Sequence, residues 1–260
     1  MALVCLTALV HVAAQELNLT EEQIHQSLAK VKIMKSKNTP KGITSPWRLT
    51  LSDGQLTHDA AYQSINETQR RVDFPSGNTE FNFRDSYHFN IAAHEIDNLL
   101  GIGDMLPVCV ERKWRGQSGS LCWWLPAKMD EASRKQDNIQ PPDSNAWNQQ
   151  VNKMWVFSDL VYDTDRNQTN MLITEDWKLY MIDFSRAFRY SSELLEPGHL
   201  TMCGRQFLEA LRRLNEAEVL QETKLHLSKS DVKSLMARRD KIVTLFEKTI
   251  SQKGEEAVLY

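Results

Sequence analysis

Between Asp159 and Phe188 the chain reads DLVYDTDRNQTNMLITEDWKLYMIDFSRAF, with Asp165, Asn170 and Asp183 at the ends of two short apolar runs. Asp165 and Asn170 have the D-x-x-x-x-N spacing of a kinase catalytic loop, and Asp183 follows thirteen residues later inside Ile-Asp-Phe. The runs MLIT and KLYMI predict a hairpin that returns one end to the other. Such an arrangement suits phosphoryl transfer. One carboxylate orients or deprotonates an attacking hydroxyl, while an amide and a second carboxylate hold a divalent metal on nucleotide phosphates. Hard oxygen ligands select Mg²⁺ or Mn²⁺. The competing reading makes Asp163 and Asp165 turn caps, Asn170 a left-handed turn residue and Asp183 a strand end. The order of D-x₄-N, hairpin and I-D-F, behind an apolar helix, favours the first.

The elements that must position these residues begin with a helix in LTEEQIHQSLAKV, opened by Thr20. AKVKIMKS, PWRLTLS and QLTHDAAYQSI follow as three strands of an antiparallel meander, with Asp53-Gly54 as the second turn. A polar excursion leads to FRDSYHFNIAAHEIDNLLGI. There Phe89, Ala92, Ala93, Ile96, Leu99 and Leu100 recur at helical spacing, and Gly101 is placed to cap the helix. LPVCVERKW and SLCWWL form another hairpin around RGQSG. After Pro141-Pro142, a helix capped by Asp143 or Ser144 buries Trp147, Val151, Met154, Trp155 and Val161. FLEALRRLNEAEVL and a long helix DVKSLMARRDKIVTLFEKTI, capped by Ser230, complete a helical half. The fold class is therefore α+β in two lobes: an antiparallel sheet lobe with one helix over 15–126, and a mainly helical lobe over 127–260 that carries the hairpin.

On the same template, the loop NTPKGIT with its one glycine, Gly42, is where a phosphate-covering loop belongs. DAAYQSI is shaped like the strand that carries a phosphate-binding lysine, but Gln63 fills the lysine position. A neutral amide donates hydrogen bonds to phosphate without supplying charge.

The 260 residues carry net charge −3, with 41% hydrophobic and 25% charged, which gives no basic footprint for nucleic acid. Residues 1–14 read as an export signal, apolar and ending in small residues, although they lack a basic n-region, with no Lys or Arg before Lys30. They are too few for a stable transmembrane span. If they are a signal, the protein is exported, periplasmic or extracellular; otherwise it is cytoplasmic. Cys109 and Cys122 lie on two arms of one hairpin, so a bridge is open to them, with buried free thiols the preferred reading.

With these residues assembled, the chain resembles the atypical kinase-like superfamily of HipA-type kinases, type II phosphatidylinositol 4-kinases and secretory-pathway casein kinases. The resemblance covers about residues 30 to 190. It is carried by FRDSYHFNIAAHEIDNLLG with LPVCVER, and by YDTDRNQTNMLI with MIDFSRAF. These are similar to the secretory kinases' E-I-A-A-x-x-L-D, DRH and LDNGRAF elements, and to a group of exported bacterial proteins built on the same pattern. The resemblance implies ATP and Mg²⁺ or Mn²⁺ as cofactors, Asp165 as the catalytic aspartate, and Asp183 and Asn170 as metal ligands. It also implies Trp123 and Trp124 beside adenine at the hinge. Asn167 stands where the family has the histidine of DRH, Gln63 where it has the strand lysine, and Asn90 where it has the helix glutamate. Glu95 lies five residues beyond Asn90 and is expected to face elsewhere.

Three functions follow. The first is a metal- and ATP-dependent phosphotransferase acting on an acceptor that is protein, lipid or small molecule. The second is a pseudokinase that binds nucleotide or a partner without transfer. The third is nucleotidyl transfer on the same fold.

Overall fold

The computed structural model describes residues 19–39, 46–74, 77, 79–103 and 105–260. The export signal expected over 1–14 and Gly42 both lie outside the described residues. Within them the chain forms two compact units. One comprises the described residues up to Ile65 with Val108–Trp124, and the other Asn66–Pro107 with Leu125–Tyr260. The stretch 66–107, counted with 15–126 on chain order alone, packs with the second unit.

The first unit is a five-stranded antiparallel sheet beside one helix, α1 (Glu21–Lys30). Thr20 and Gln23 cap α1 reciprocally, satisfying two of its orphan donors. Strands β1 (Ile33–Asn38), β2 (Trp47–Ser52) and β3 (Thr57–Gln63) make the expected meander. β6 (Cys109–Trp114) and β7 (Gln117–Trp123) add a hairpin, in sheet order β1-β2-β3-β7-β6. Alternation decides which face is buried. Leu49, Leu51, Ala60, Tyr62, Val110 and Leu121 form one core with Leu28 of α1. Arg112 reaches out of β6 to the carbonyls of Leu28 and Val31 at the end of α1, satisfying groups that a helix terminus leaves open. Gly119 is required by close approach, since a Cβ there would lie 2.5 Å from the Gln63 carbonyl oxygen.

The free-thiol reading of Cys109 and Cys122 is corrected. The two are direct register partners across β6 and β7, with Cα atoms 4.1 Å apart, and they form a disulfide. Direct opposition in one hairpin brings the sulfurs together, which burial preference alone did not convey. Cys203 is the free, buried cysteine among the described residues. Closing a loop of this length stabilises by about 3 kcal/mol in the chain-entropy view. Reduction, or Cys109→Ser with Cys122→Ser, is therefore expected to lower the melting temperature, measured by circular dichroism with and without dithiothreitol. An unchanged melt would show that the bridge contributes nothing.

In the second unit the polar excursion is a two-stranded ribbon, β4 (Asn66–Asp73) paired with β5 (Thr79–Ser86). Its strands are mostly polar and exposed, so no apolar alternation announced them. Helix α2 (His88–Leu100) starts directly after β5 and ends at Gly101, whose φ of 62° takes the left-handed position assigned to it. β8 (Ala127–Asp130), β9 (Met171–Thr174) and β10 (Leu179–Met181) form a three-stranded sheet in the order β10-β9-β8. Helix α3 (Glu131–Gln136) follows β8, and α4 (Ser144–Val161) starts at the Asp143 cap. The segment FLEALRRLNEAEVL is two helices, α5 (Arg205–Arg213) and α6 (Glu216–Glu222), because Asn215 caps the second. The last helix, α7 (Lys229–Lys253), is capped by Ser228 in a reciprocal box with Asp231, not by Ser230. One apolar core binds this unit, from Phe89 and Ile96 of α2 through Met154, Phe157 and Leu160 of α4 to Leu235, Ile242 and Phe246 of α7. No helix among the described residues is long and apolar enough to cross a membrane.

Candidate metal and nucleotide site

Helix α4 stops at Tyr162, whose φ of 53° and ψ of 60° turn the chain out of the helix. The next residue, Asp163, is buried, and its carboxylate sets the whole following turn. It accepts the Asp165 N–H at 3.2 Å and the Arg166 Nε–H at 2.7 Å. Arg166 in turn donates from Nη1 to the carbonyls of Asn170, at 2.7 Å, and Ile182, at 2.8 Å. Those two carbonyls belong to the start of β9 and the end of β10. One buried guanidinium thus fixes the aspartate turn and both strand ends, and its flat face lies 4.6 Å from the centre of the Phe184 ring. Burial pushes the Asp163 carboxyl above its ordinary value, against the opposing pull of Arg166 and the Asp165 N–H.

Beyond that brace, Asp165 is exposed. Its backbone carbonyl accepts from the Asn167 N–H at 2.8 Å and from the Asn170 side-chain amide at 3.2 Å. Asn167 caps a single 3₁₀ turn, Gln168–Asn170, by accepting the Thr169 N–H. Met171 pairs with Met181 in the hairpin, and the Ile182 N–H donates to the Asn170 carbonyl at 3.1 Å. The register therefore carries Asp183 to the end of the hairpin where Asn170 sits, as the sequence spacing required. Asp183 itself has φ 57°, uncommon for a non-glycine residue, and its carboxylate accepts the Ser185 N–H at 3.4 Å.

Asp85, at the end of β5, belongs to this cluster and was not singled out from the sequence. It is 9% exposed, and its Oδ1 is a buried oxygen with no hydrogen-bond partner among the described residues. Burial raises its carboxyl above the ordinary range and the Asp183 charge adds to this, while the Ser185 hydroxyl and Arg186 oppose it. A carboxylate buried without full compensation beside a second one is the environment that a bound divalent cation relieves. The donor set of Asp85, Asn170 and Asp183 is all hard oxygen, which fits Mg²⁺ or Mn²⁺. The signal for Asp85 was a lone acid closing the run FNFRDS, legible only once that run is known to be a strand.

Asp85→Asn is accordingly expected to act with opposite signs on two measurements. A raised carboxyl destabilises the fold as pH climbs through it, so the substitution stabilises the metal-free protein by about 1 kcal/mol at mildly alkaline pH. In acid, where Asp85 is protonated, that gain disappears. The same substitution weakens any stabilisation by Mn²⁺ with ATP. Thermal melts at the two pH values, with and without ligand, check both signs.

Asn90 is buried on the first turn of α2. Its Oδ1 accepts the Phe184 N–H at 2.7 Å, so it holds the residue after Asp183. Glu95 faces the loop before α7, where its carboxylate lies 3.6 Å from His226 Nε2. Glu80 of β5 pairs with both Arg186 and Arg189, tethering the segment downstream of Asp183.

The remaining candidates lie in the first unit. Gln63 is buried at the end of β3, opposite Ser120 of β7. Trp123 is buried in that unit's core, with the His58 ring stacked on it at 3.6 Å. Trp124 follows β7, donates its N–H to the Asp59 carbonyl at 3.1 Å, and has the Arg48 guanidinium 4.4 Å from its ring centre. Trp123 thus has one ring face already covered, while Trp124 is pinned through its backbone.

No protein-family model and no curated protein sequence matches the chain. Solved structures do, and they show its fold: the chain has an α+β, kinase-like fold. A Golgi casein kinase superposes with a TM-score of 0.63 at 12% identity, over 92% of this chain and 78% of that one. The Helicobacter pylori proinflammatory kinase CtkA superposes with a TM-score of 0.54 at 10% identity, over 87% of this chain and 98% of that one.

Proposed function

We propose that the protein is a metal- and ATP-dependent phosphotransferase. Asp165 orients and deprotonates the acceptor hydroxyl, while Asp183, Asn170 and Asp85 hold the divalent cation that accompanies the nucleotide. The reading rests on one observation: a buried Asp163–Arg166 pair anchors the Asp165 turn and both ends of the β9–β10 hairpin at once. Catalysis of phosphoryl transfer is largely positioning and charge neutralisation, so a rigid frame around two carboxylates and an amide is what the reaction demands. The bound cation supplies charge neutralisation on the phosphates. Gly42, Gln63, Trp123 and Trp124 are the nucleotide-side candidates carried by the resemblance. The acceptor, whether protein, lipid or small molecule, is not specified by these residues.

A second reading, a pseudokinase without transfer, is favoured by Asn90. Where the family carries a charged helix glutamate, this chain has a neutral amide whose oxygen is committed to the Phe184 N–H. With Gln63 at the lysine position, the phosphates lose a fixed positive charge. Nucleotidyl transfer is the third reading. Incubation with ATP labelled at the γ or the α phosphate separates the three. Label passing to an acceptor or to the protein from the γ position alone supports the kinase, and from the α position the nucleotidyl transferase. No transfer despite metal-dependent ATP binding supports the pseudokinase. The disulfide, stable in oxidising compartments, supports export to the periplasm or the extracellular space.

A further inference from the structure

We propose that His88 and His226 form a binding site for a zinc-type divalent cation, separate from the magnesium- or manganese-type site at Asp183. His88 is the first residue of α2, and His226 lies in the turn between α6 and α7. Their Nδ1 atoms face each other 3.1 Å apart, with the ring centroids at 5.4 Å and the planes inclined at 40°. Two nitrogen ligands held about 2.0–2.1 Å from a tetrahedral ion lie roughly 3.3 Å apart, so a small opening of this pair accommodates the ion. Both positions are constrained. Tyr87 stacks on the His88 ring at 4.1 Å, and the His226 side chain is 5% exposed.

The other side of His226 supplies what a metal-bound imidazole needs. Glu95, two turns along α2, places Oε1 3.6 Å from His226 Nε2, and its Oε2 is a buried oxygen without a hydrogen-bond partner among the described residues. A carboxylate behind the distal nitrogen favours the tautomer whose Nδ1 carries the lone pair, the usual carboxylate–histidine–metal arrangement. Imidazole ligands prefer Zn²⁺, Ni²⁺ or Cu²⁺ over Mg²⁺ and Ca²⁺. The ion would tie the start of α2 to the turn before α7. Asn90, which holds the Phe184 N–H, sits on that same first turn of α2, so occupancy steadies the backbone beside Asp183. The site does not depend on the phosphotransferase reading.

The test is calorimetric titration of the untagged full chain with Zn²⁺ alone, with no nucleotide present. The wild type is expected to bind one ion. His88→Gln and His226→Gln each remove that binding, Glu95→Gln weakens it about 10- to 100-fold, and Asp183→Ala retains it. No binding by the wild type, or equal binding by both histidine variants, overturns the proposal. Because the histidine side chains are packed against their neighbours and a variant can fail to fold, the ¹⁵N shifts of the two Nδ1 atoms in the wild type give a reading without substitution. Both move on Zn²⁺ addition if they ligate it, and unmoved shifts overturn the assignment.

Discussion

Arg166→Ala lowers the folding free energy by about 3–5 kcal/mol, read from the urea midpoint, the cost of leaving one half of a buried ion pair behind. The side chain is 2% exposed and Asp163 is 0% exposed, so water compensates neither partner. The substitution strands the Asp163 carboxylate, which then protonates, and also frees the carbonyls of Asn170 and Ile182 at the hairpin ends. Arg166→Lys recovers only part of this. An ammonium is a point charge and does not reproduce the fork that reaches one carboxylate and two carbonyls together. A loss under about 1 kcal/mol, the range of exposed pairs, would show that the brace is not what holds the turn.

Asp165→Ala is expected to do the reverse, leaving stability within about 0.5 kcal/mol while label transfer from ATP falls about 10²–10⁴-fold. Its carboxylate is exposed and, among the described residues, accepts from the Asn167 amide alone, at 3.2 Å. The contacts that organise the turn go to its backbone carbonyl and N–H, and alanine keeps both. Measuring the melt and the transfer on one preparation separates the two effects. Transfer at the wild-type rate would remove Asp165 as the base. A large drop in stability would mean that the loss of transfer reflects unfolding.

The different fates of these two aspartates also show how far the sequence could be read. Asp165, Asn170 and Asp183 were legible because hairpin register is a local matter, and MLIT and KLYMI could pair in few ways. Asp163 looked like an ordinary turn cap, and Arg166 stood out only as the arginine of a DRH-like element. Their importance comes from burial, which Arg166 acquires only when the carbonyls of Asn170 and Ile182 meet across the hairpin. Asp85 was hidden for another reason. It ends a ribbon whose polar strands carry no apolar alternation, and it reaches the site through tertiary packing 98 residues before Asp183 in the chain. The disulfide was visible as a pairing of hairpin arms, but the register that puts Cys109 opposite Cys122 was not. The α5–α6 break was similarly masked by a continuous helical pattern, which the Asn215 cap interrupts. Gln63 and Asn90 stood out as departures from the outset. What the fold adds is that Asn90 has a definite role, holding the Phe184 N–H next to Asp183.

The central claim is that Asp183, with Asn170 and Asp85, holds a divalent cation on a nucleotide. Calorimetric titration of the full chain with ATP, in the presence and absence of Mn²⁺, tests it most directly. The account predicts binding that requires Mn²⁺ in the wild type and disappears in Asp183→Ala, with a matching rise in melting temperature that only the wild type shows. No ATP binding by the wild type with Mn²⁺, or binding that Asp183→Ala leaves intact, would contradict it.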